Sequence, residues 1–179
     1  MCSSDLGERF WDDYNLAYVR AVGVPAAAET AAVRDLGLTR NSYTWRWPIP
    51  ESVDALRRLA DRGVPMGVVS NASGQIAEVL AASGVCQEGD GPHVPMRVII
   101  DSHVVGVAKP DPGIFEFALV HFAEFDRSRI AYIGDSVTMD IGGARAAGLH
   151  PILIDPYGDH PGADFDTVAS LGELLDVVA

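Results

Sequence analysis

Residues 129–148 read RIAYIGDSVTMDIGGARAAG, and the order of their physical properties decides the fold class. Arg129 to Asp135 is a short apolar run rich in isoleucine that closes on Gly134-Asp135, the pattern of a strand buried on both faces. A helical pattern follows from about Ser136 to Ala147, with Val137, Ile141 and Ala144 on one face and Gly148 placed to stop it. The glycines at 142, 143 and 148 lie within or after this helix, not between strand and helix, so they are no dinucleotide-binding loop.

The same alternation extends in both directions. Val64 to Ser70 (VPMGVVS), Met96 to Asp101 (MRVIID) and Pro151 to Asp155 (PILID) are further apolar runs bounded by turn residues. Between them lie helical stretches. Pro50 to Arg62 carries Val53, Leu56, Leu59 and Ala60 on one face and ends at Gly63. Ser73 to Ser83 carries Ile76, Val79 and Leu80 and ends at Gly84. Asp111-Pro112 opens a helix with Ile114, Phe115, Ala118, Leu119 and Phe122 facing inward, and Ser170 opens a last one with Leu171, Leu174 and Leu175. Strand and helix thus alternate over the C-terminal two thirds, which predicts an α/β domain with a doubly wound parallel sheet.

The first third has no strand signal. Phe10 to Val22 repeats Phe10, Trp11, Tyr14, Ala17, Tyr18 and Ala21 every three or four residues, and Ala26 to Leu36 is an alanine-rich second helix. A stiff connection with Trp45, Trp47, Pro48 and Pro50 leads into the domain. Two such helices fit part of a lid and fit two ordinary packing helices equally.

The chain has 179 residues, 48% apolar, with 13 Lys+Arg against 25 Asp+Glu and a formal charge of −12. That is one compact globular core without the basic surface a nucleic-acid partner requires. Cys2 and Cys86 form no metal-ligand spacing, which excludes a disulfide framework and a structural zinc site and points to the cytoplasm. No run of about 18 apolar residues is present, so no membrane association is expected.

Open parallel sheets bind ligands at the carboxyl ends of their strands, and those positions are polar here. Ser70 and Asn71 end the first run and offer a hydroxyl, an amide and the N–H groups of a following helix, an anion site in form, though Ser-Asn is also a common turn. Lys109 precedes Pro110 and is therefore extended; a lysine on such a loop is either a fixed point charge or a solvated side chain. Asp135 and Asp140 are two hard carboxylates at a spacing suited to Mg²⁺ and equally to capping the helix between them.

Taken in order, strand-Ser-Asn, Lys-Pro-Asp-Pro, strand-Gly-Asp with a second Asp five residues on, and Gly-Ala-x-x-Ala-Gly (Gly143 to Gly148) resemble the second, third and fourth motifs of the haloacid dehalogenase-like hydrolases. The resemblance spans about Glu51 to Leu153 and implies a Rossmann-like fold with a partial N-terminal helical cap. It also implies a phosphatase of small phosphomonoesters working through an aspartyl-phosphate. In that reading Ser70 and Asn71 hold the phosphoryl group, Lys109 steadies phosphate and nucleophile, Asp135 binds Mg²⁺ and Asp140 supports the metal site. The family's first motif, an apolar strand followed by Asp-x-Asp-Gly-Thr, has no counterpart in this sequence. The nucleophile is therefore absent and the central first strand is expected to be missing. The opening Met1 to Leu6 (MCSSDL) matches the translation of a sequencing-adapter end, so residues 1–6 are expected to be a non-native start, 7–47 a partial cap and 48–179 the core. Two other readings stay open: a non-catalytic phosphate-binding protein, and a haloacid dehalogenase, for which Asp135 would have no use.

Overall fold

The computed structural model describes residues 3–39 and 47–177, and the chain divides after Trp45 into two units. The first unit contains α1 (Ser3–Ala21), a 3-10 turn (Ala26–Ala28) and α2 (Glu29–Thr39). The two helices pack on each other, and Arg20 Nε donates to Glu29 Oε2 at 3.0 Å. Among the described side chains of α1, Asn15 and Val19 are buried, while Tyr14 and Tyr18 are about half exposed. These two tyrosines thus lie beside the buried positions, which tyrosine tolerates because its hydroxyl reaches water. The side chains of Phe10 and Trp11, and the connection around Trp45, lie outside the described residues.

The second unit runs α3 (Pro50–Asp61), β1 (Val68–Ser70), α4 (Ile76–Ala82), β2 (Cys86–Glu88), β3 (Val94–Met96), β4 (Ile99–Asp101), α5 (Ser102–Val105) and α6 (Gly113–Leu119). It continues with β5 (Ala131–Gly134), a π-helical turn (Val137–Ile141) leading into α7 (Gly142–Ala146), then β6 (His150–Ile154), β7 (Asp166–Val168) and α8 (Leu174–Val177). The four strands read from sequence all form; three begin later than their apolar runs, at Val68, Ile99 and Ala131, and the fourth begins one residue earlier, at His150. The expected helix from Ser136 to Ala147 begins instead as a wide turn, in which Ile141 N–H reaches Ser136 O at 3.2 Å, five residues back. β2, β3 and β7 are three-residue strands with no periodicity long enough to announce them.

Two parallel pairings matter for the site. β1 lies beside β4 with Ser70 opposite Asp101, and β5, β6 and β7 form a separate three-stranded sheet. Among the described residues no strand ladder joins β1 to β5. Val68 N–H bonds Val98 O on the β4 side, so Val69 turns its main-chain groups the other way. There Val69 O accepts the hydroxyl of Tyr132 from β5 at 2.9 Å. A side chain therefore bridges the interruption between β1 and β5 among the described residues.

The core follows the apolar faces. Ile114, Phe115, Ala118, Leu119 and Phe122 are all buried, against Val98 and Ile100 on one side and Ala144, Ala147 and Leu149 on the other. Complete burial of each large side chain contributes roughly 1.5–3 kcal/mol. Gly63 (φ +75°) and Gly148 (φ +78°) supply the left-handed stops expected of them, because an L side chain is strained there.

Candidate functional site

The carboxyl ends of β1, β4 and β5 and the loop before α6 bring Asn71, Lys109, Asp135 and Asp140 into one hydrogen-bonded network, and Ser70 stands next to Asn71 at the end of β1. Lys109 is its centre. Its ammonium donates to Asp140 Oδ1 at 2.7 Å and to Tyr132 Oη at 2.8 Å, with the lysine side chain 11% and the aspartate side chain 5% exposed. A buried charge is tolerable only when paired and hydrogen-bonded, and both conditions hold for this pair. Lys109 is also the only lysine in the sequence.

Asp140 is occupied on both oxygens. Oδ1 faces Lys109 and Tyr132, while Oδ2 accepts the N–H groups of Asp135 at 3.1 Å and Ser136 at 2.9 Å. The wide turn at 137–141 carries Asp140 back over the end of β5, and Gly134 leaves the space for it. A Cβ built at 134 would stand 2.2 Å from Asp140 Cγ. Asp140 thus braces the turn that presents Asp135 and holds the lysine. Asp135 itself is exposed, and its carboxylate has no partner among the described residues.

Asn71 lies just beyond β1 with its amide committed to the main chain of residue 109. Its Oδ1 accepts Lys109 N–H at 2.8 Å and its Nδ2 donates to Lys109 O at 2.9 Å. Ser70, half-buried at the strand end, has a hydroxyl without a protein partner among the described residues. The anticipated row of open N–H groups after β1 is not there. Ala72 N–H goes to Ser102 Oγ, Ser73 N–H to Gln75 Oε1, and the N–H groups of Gly74 and Ile76 to Asp101 Oδ2. Side chains from β4 and α5 saturate the loop, so its anion-binding capacity is less than a bare helix start would give.

Three participants were not singled out from sequence: Tyr132, Asp101 and Ser102. Tyr132 packs edge-on against Phe115, and burial together with the Asp140 and Asp135 carboxylates pushes its phenol far above its ordinary pKa. It stays a protonated donor, and a hydroxyl in the middle of an apolar strand was the available signal. Asp101 is buried and accepts a third N–H, that of His103, at 2.9 Å. Its role depends on β1–β4 pairing, which no local pattern reveals.

As to a metal, the described residues contain no cluster of three His, Cys, Asp or Glu. The donor set, one unengaged carboxylate at a strand end beside a cationic pocket, fits Mg²⁺ held mostly by water and substrate oxygens and does not fit an all-protein cage. No helix among the described residues is long and apolar enough to cross a membrane.

Comparison with known proteins bears on the family and the fold. The model of the haloacid dehalogenase-like hydrolases matches residues 6–148. The mouse haloacid dehalogenase-like hydrolase domain-containing protein 3 is 31% identical over 147 residues, covering 82% of this chain and 55% of its own length. The pyrimidine 5'-nucleotidase YjjG of Escherichia coli is 32% identical over 131 residues, covering 71% and 55%. The chain therefore spans about half the length of these curated relatives. A haloacid dehalogenase-like phosphatase structure from Thermococcus onnurineus superposes with a TM-score of 0.65 at 20% identity, covering 97% of this chain and 90% of that one. Solved structures of the same fold include dehalogenases as well as phosphatases, so fold alone does not choose between those reactions.

Proposed function

This chain belongs to the haloacid dehalogenase-like hydrolases, and from that premise we propose that its site is the phosphate- and magnesium-holding half of a phosphatase acting on small phosphomonoesters. The observation that carries the reading is the Lys109 ammonium, buried, paired with Asp140 and fixed within the same network as an unengaged Asp135 carboxylate. A dehalogenase has use for the lysine but none for a bare carboxylate at residue 135.

The residues divide the work as follows. Two of the three N–H bonds of Lys109 are committed, to Asp140 and Tyr132, and the third is directed to a phosphoryl oxygen. Ser70 Oγ donates to a second oxygen of the same group. Asp135 holds Mg²⁺, which when bound supplies charge neutralisation to the phosphate oxygens. Asp140 keeps Lys109 and the 134–136 turn in register, its Oδ1 accepting the Lys109 ammonium and its Oδ2 the Asp135 and Ser136 N–H groups, and it serves the metal site through that turn. Charge fixed before the substrate arrives needs no reorganisation during reaction, which is where such sites gain most of their rate.

The nucleophile and general acid of the intact reaction belong to an Asp-x-Asp-Gly-Thr segment following an apolar strand, and these 179 residues contain none. We therefore read this chain as binding-competent and without turnover on its own, with the missing strand belonging in the interruption between β1 and β5. A purely phosphate-binding role is the second reading, favoured by that same lack. Both readings predict binding: titrating the chain with inorganic phosphate in Mg²⁺ should give saturable binding weakened at least tenfold by Asp135→Asn or Lys109→Met. Turnover separates them once the chain is preceded by an apolar strand ending in Asp-x-Asp-Gly-Thr. Mg²⁺-dependent hydrolysis of p-nitrophenyl phosphate supports the phosphatase, and binding without hydrolysis supports the alternative.

A further inference from the structure

We propose that Asn71 is a positioning residue for Lys109. The proposal rests on the reading of Lys109 as the fixed charge of the site. The carboxamide of Asn71 makes two bonds to one residue 38 positions away, accepting Lys109 N–H at 2.8 Å and donating to Lys109 O at 2.9 Å. This pattern is what a strand neighbour would offer, made by a side chain. One such bond fixes distance, while two, on the peptide units either side of the Lys109 Cα, fix distance and the orientation of the residue between them.

Asn71 is itself held. Its loop is clamped from β4 and α5, with Ser102 Oγ bonding both Ala72 N–H and Ala72 O, and Asp101 taking Gly74 and Ile76 N–H. The chain of restraint runs from the β1–β4 ladder through Asn71 to the main chain of Lys109. At the far end the ammonium is fixed by Asp140 and Tyr132. A lysine side chain has many rotamers, and holding the main chain at one end and the ammonium at the other removes that freedom before substrate binds.

The residue type fits this role closely. Aspartate offers the acceptor but no donor, and sets a carboxylate against the Lys109 carbonyl. Serine cannot serve both groups at once. Both polar atoms of the Asn71 amide face residue 109, which commits the oxygen and one of the two Nδ2 hydrogens to the Lys109 main chain before any phosphate arrives.

Because the sequence has a single lysine, the test needs no resonance assignment. Protein grown on lysine labelled with ¹⁵N at the α position and ¹³C at Cε gives one amide cross-peak and one ε-methylene signal. In the unaltered chain the amide should exchange slowly with solvent, and the two ε protons should be resolved, as in an immobilised side chain. Asn71→Ala should speed amide exchange roughly tenfold or more, as expected for a lost hydrogen bond to a held acceptor, and merge the ε protons. Asn71→Asp, which keeps the acceptor alone, should retain the amide protection and lose part of the ε splitting. That difference between two variants of one residue cannot come from general loosening of the fold, and Asn71→Asp still reports if Asn71→Ala does not fold. An unprotected Lys109 amide in the unaltered chain, or Asn71→Ala with amide and ε signals unchanged, overturns the proposal. Adding inorganic phosphate and Mg²⁺ to the unaltered sample tests the phosphate reading separately. If the ε signal does not move, that reading fails while the positioning role of Asn71 stands or falls on the variants alone.

Discussion

Gly134 shows how little room the Lys109–Asp140 pair leaves. A methyl group there would overlap the Asp140 carboxylate, whose Cγ lies 2.2 Å from the built Cβ. Gly134→Ala should therefore cost about 2–4 kcal/mol in urea denaturation, through displacement of a buried hydrogen-bonded group. The ion pair makes a second prediction at this scale. Asp140→Asn leaves a buried ammonium without its counter-charge and should destabilise by about 3–5 kcal/mol, whereas the double variant Asp140→Leu with Lys109→Met should lose distinctly less. Equal losses would mean that the ammonium finds solvent once its partner is gone. Asn15 is the opposite case, a buried amide in α1 whose Oδ1 has no hydrogen-bond partner. An unsatisfied buried acceptor costs about 1–3 kcal/mol, so Asn15→Leu should raise the thermal midpoint.

At the scale of elements, much was legible wherever a residue's role depends on its near neighbours. The stripe Ile114, Phe115, Ala118, Leu119 and Phe122 is buried as its spacing requires, and Gly63 and Gly148 stop their helices. The polar strand ends at Ser70 and Asp135 were likewise readable, because a parallel sheet places them at one edge. What was not legible depends on pairing across the chain. Asn71 meets Lys109 from 38 residues away, and Asp101 closes the loop after β1 from 25 and 27 residues away. The saturation of that loop therefore could not be anticipated, nor could the engagement of both Asp140 oxygens by the wide turn at 137–141. The loop following β6 carries a prediction of its own. Asp155 accepts the N–H groups of Asp159 and His160 at 2.9 and 3.0 Å, and these bonds, the Asp159 one foremost, with His160 nearby, hold its carboxyl below the usual range. A depressed carboxylate stabilises the fold above the ordinary value of about 4 and loses that contribution as pH falls through its folded value. Thermal midpoints of the unaltered chain should thus fall more steeply below about pH 4 than those of Asp155→Asn. Parallel curves would contradict this.

For the whole molecule, the interruption between β1 and β5 decides the functional account. Both strands carry main-chain groups that a neighbour would pair, and a tyrosine hydroxyl bridges them instead. Exposed strand edges invite association with other chains, so this polypeptide should aggregate more readily than one with the interruption filled. The most direct measurement is the Mg²⁺-dependent hydrolysis of p-nitrophenyl phosphate by two proteins side by side: this chain, and this chain preceded by an apolar strand ending in Asp-x-Asp-Gly-Thr. The account predicts a rate equal to buffer for the first, and turnover by the second that requires Mg²⁺ and falls by two orders of magnitude or more, roughly 3 kcal/mol, on Lys109→Met. Turnover by the first protein that is abolished by Asp135→Ala, or none by a folded second protein across a broad panel of phosphomonoesters, would contradict it.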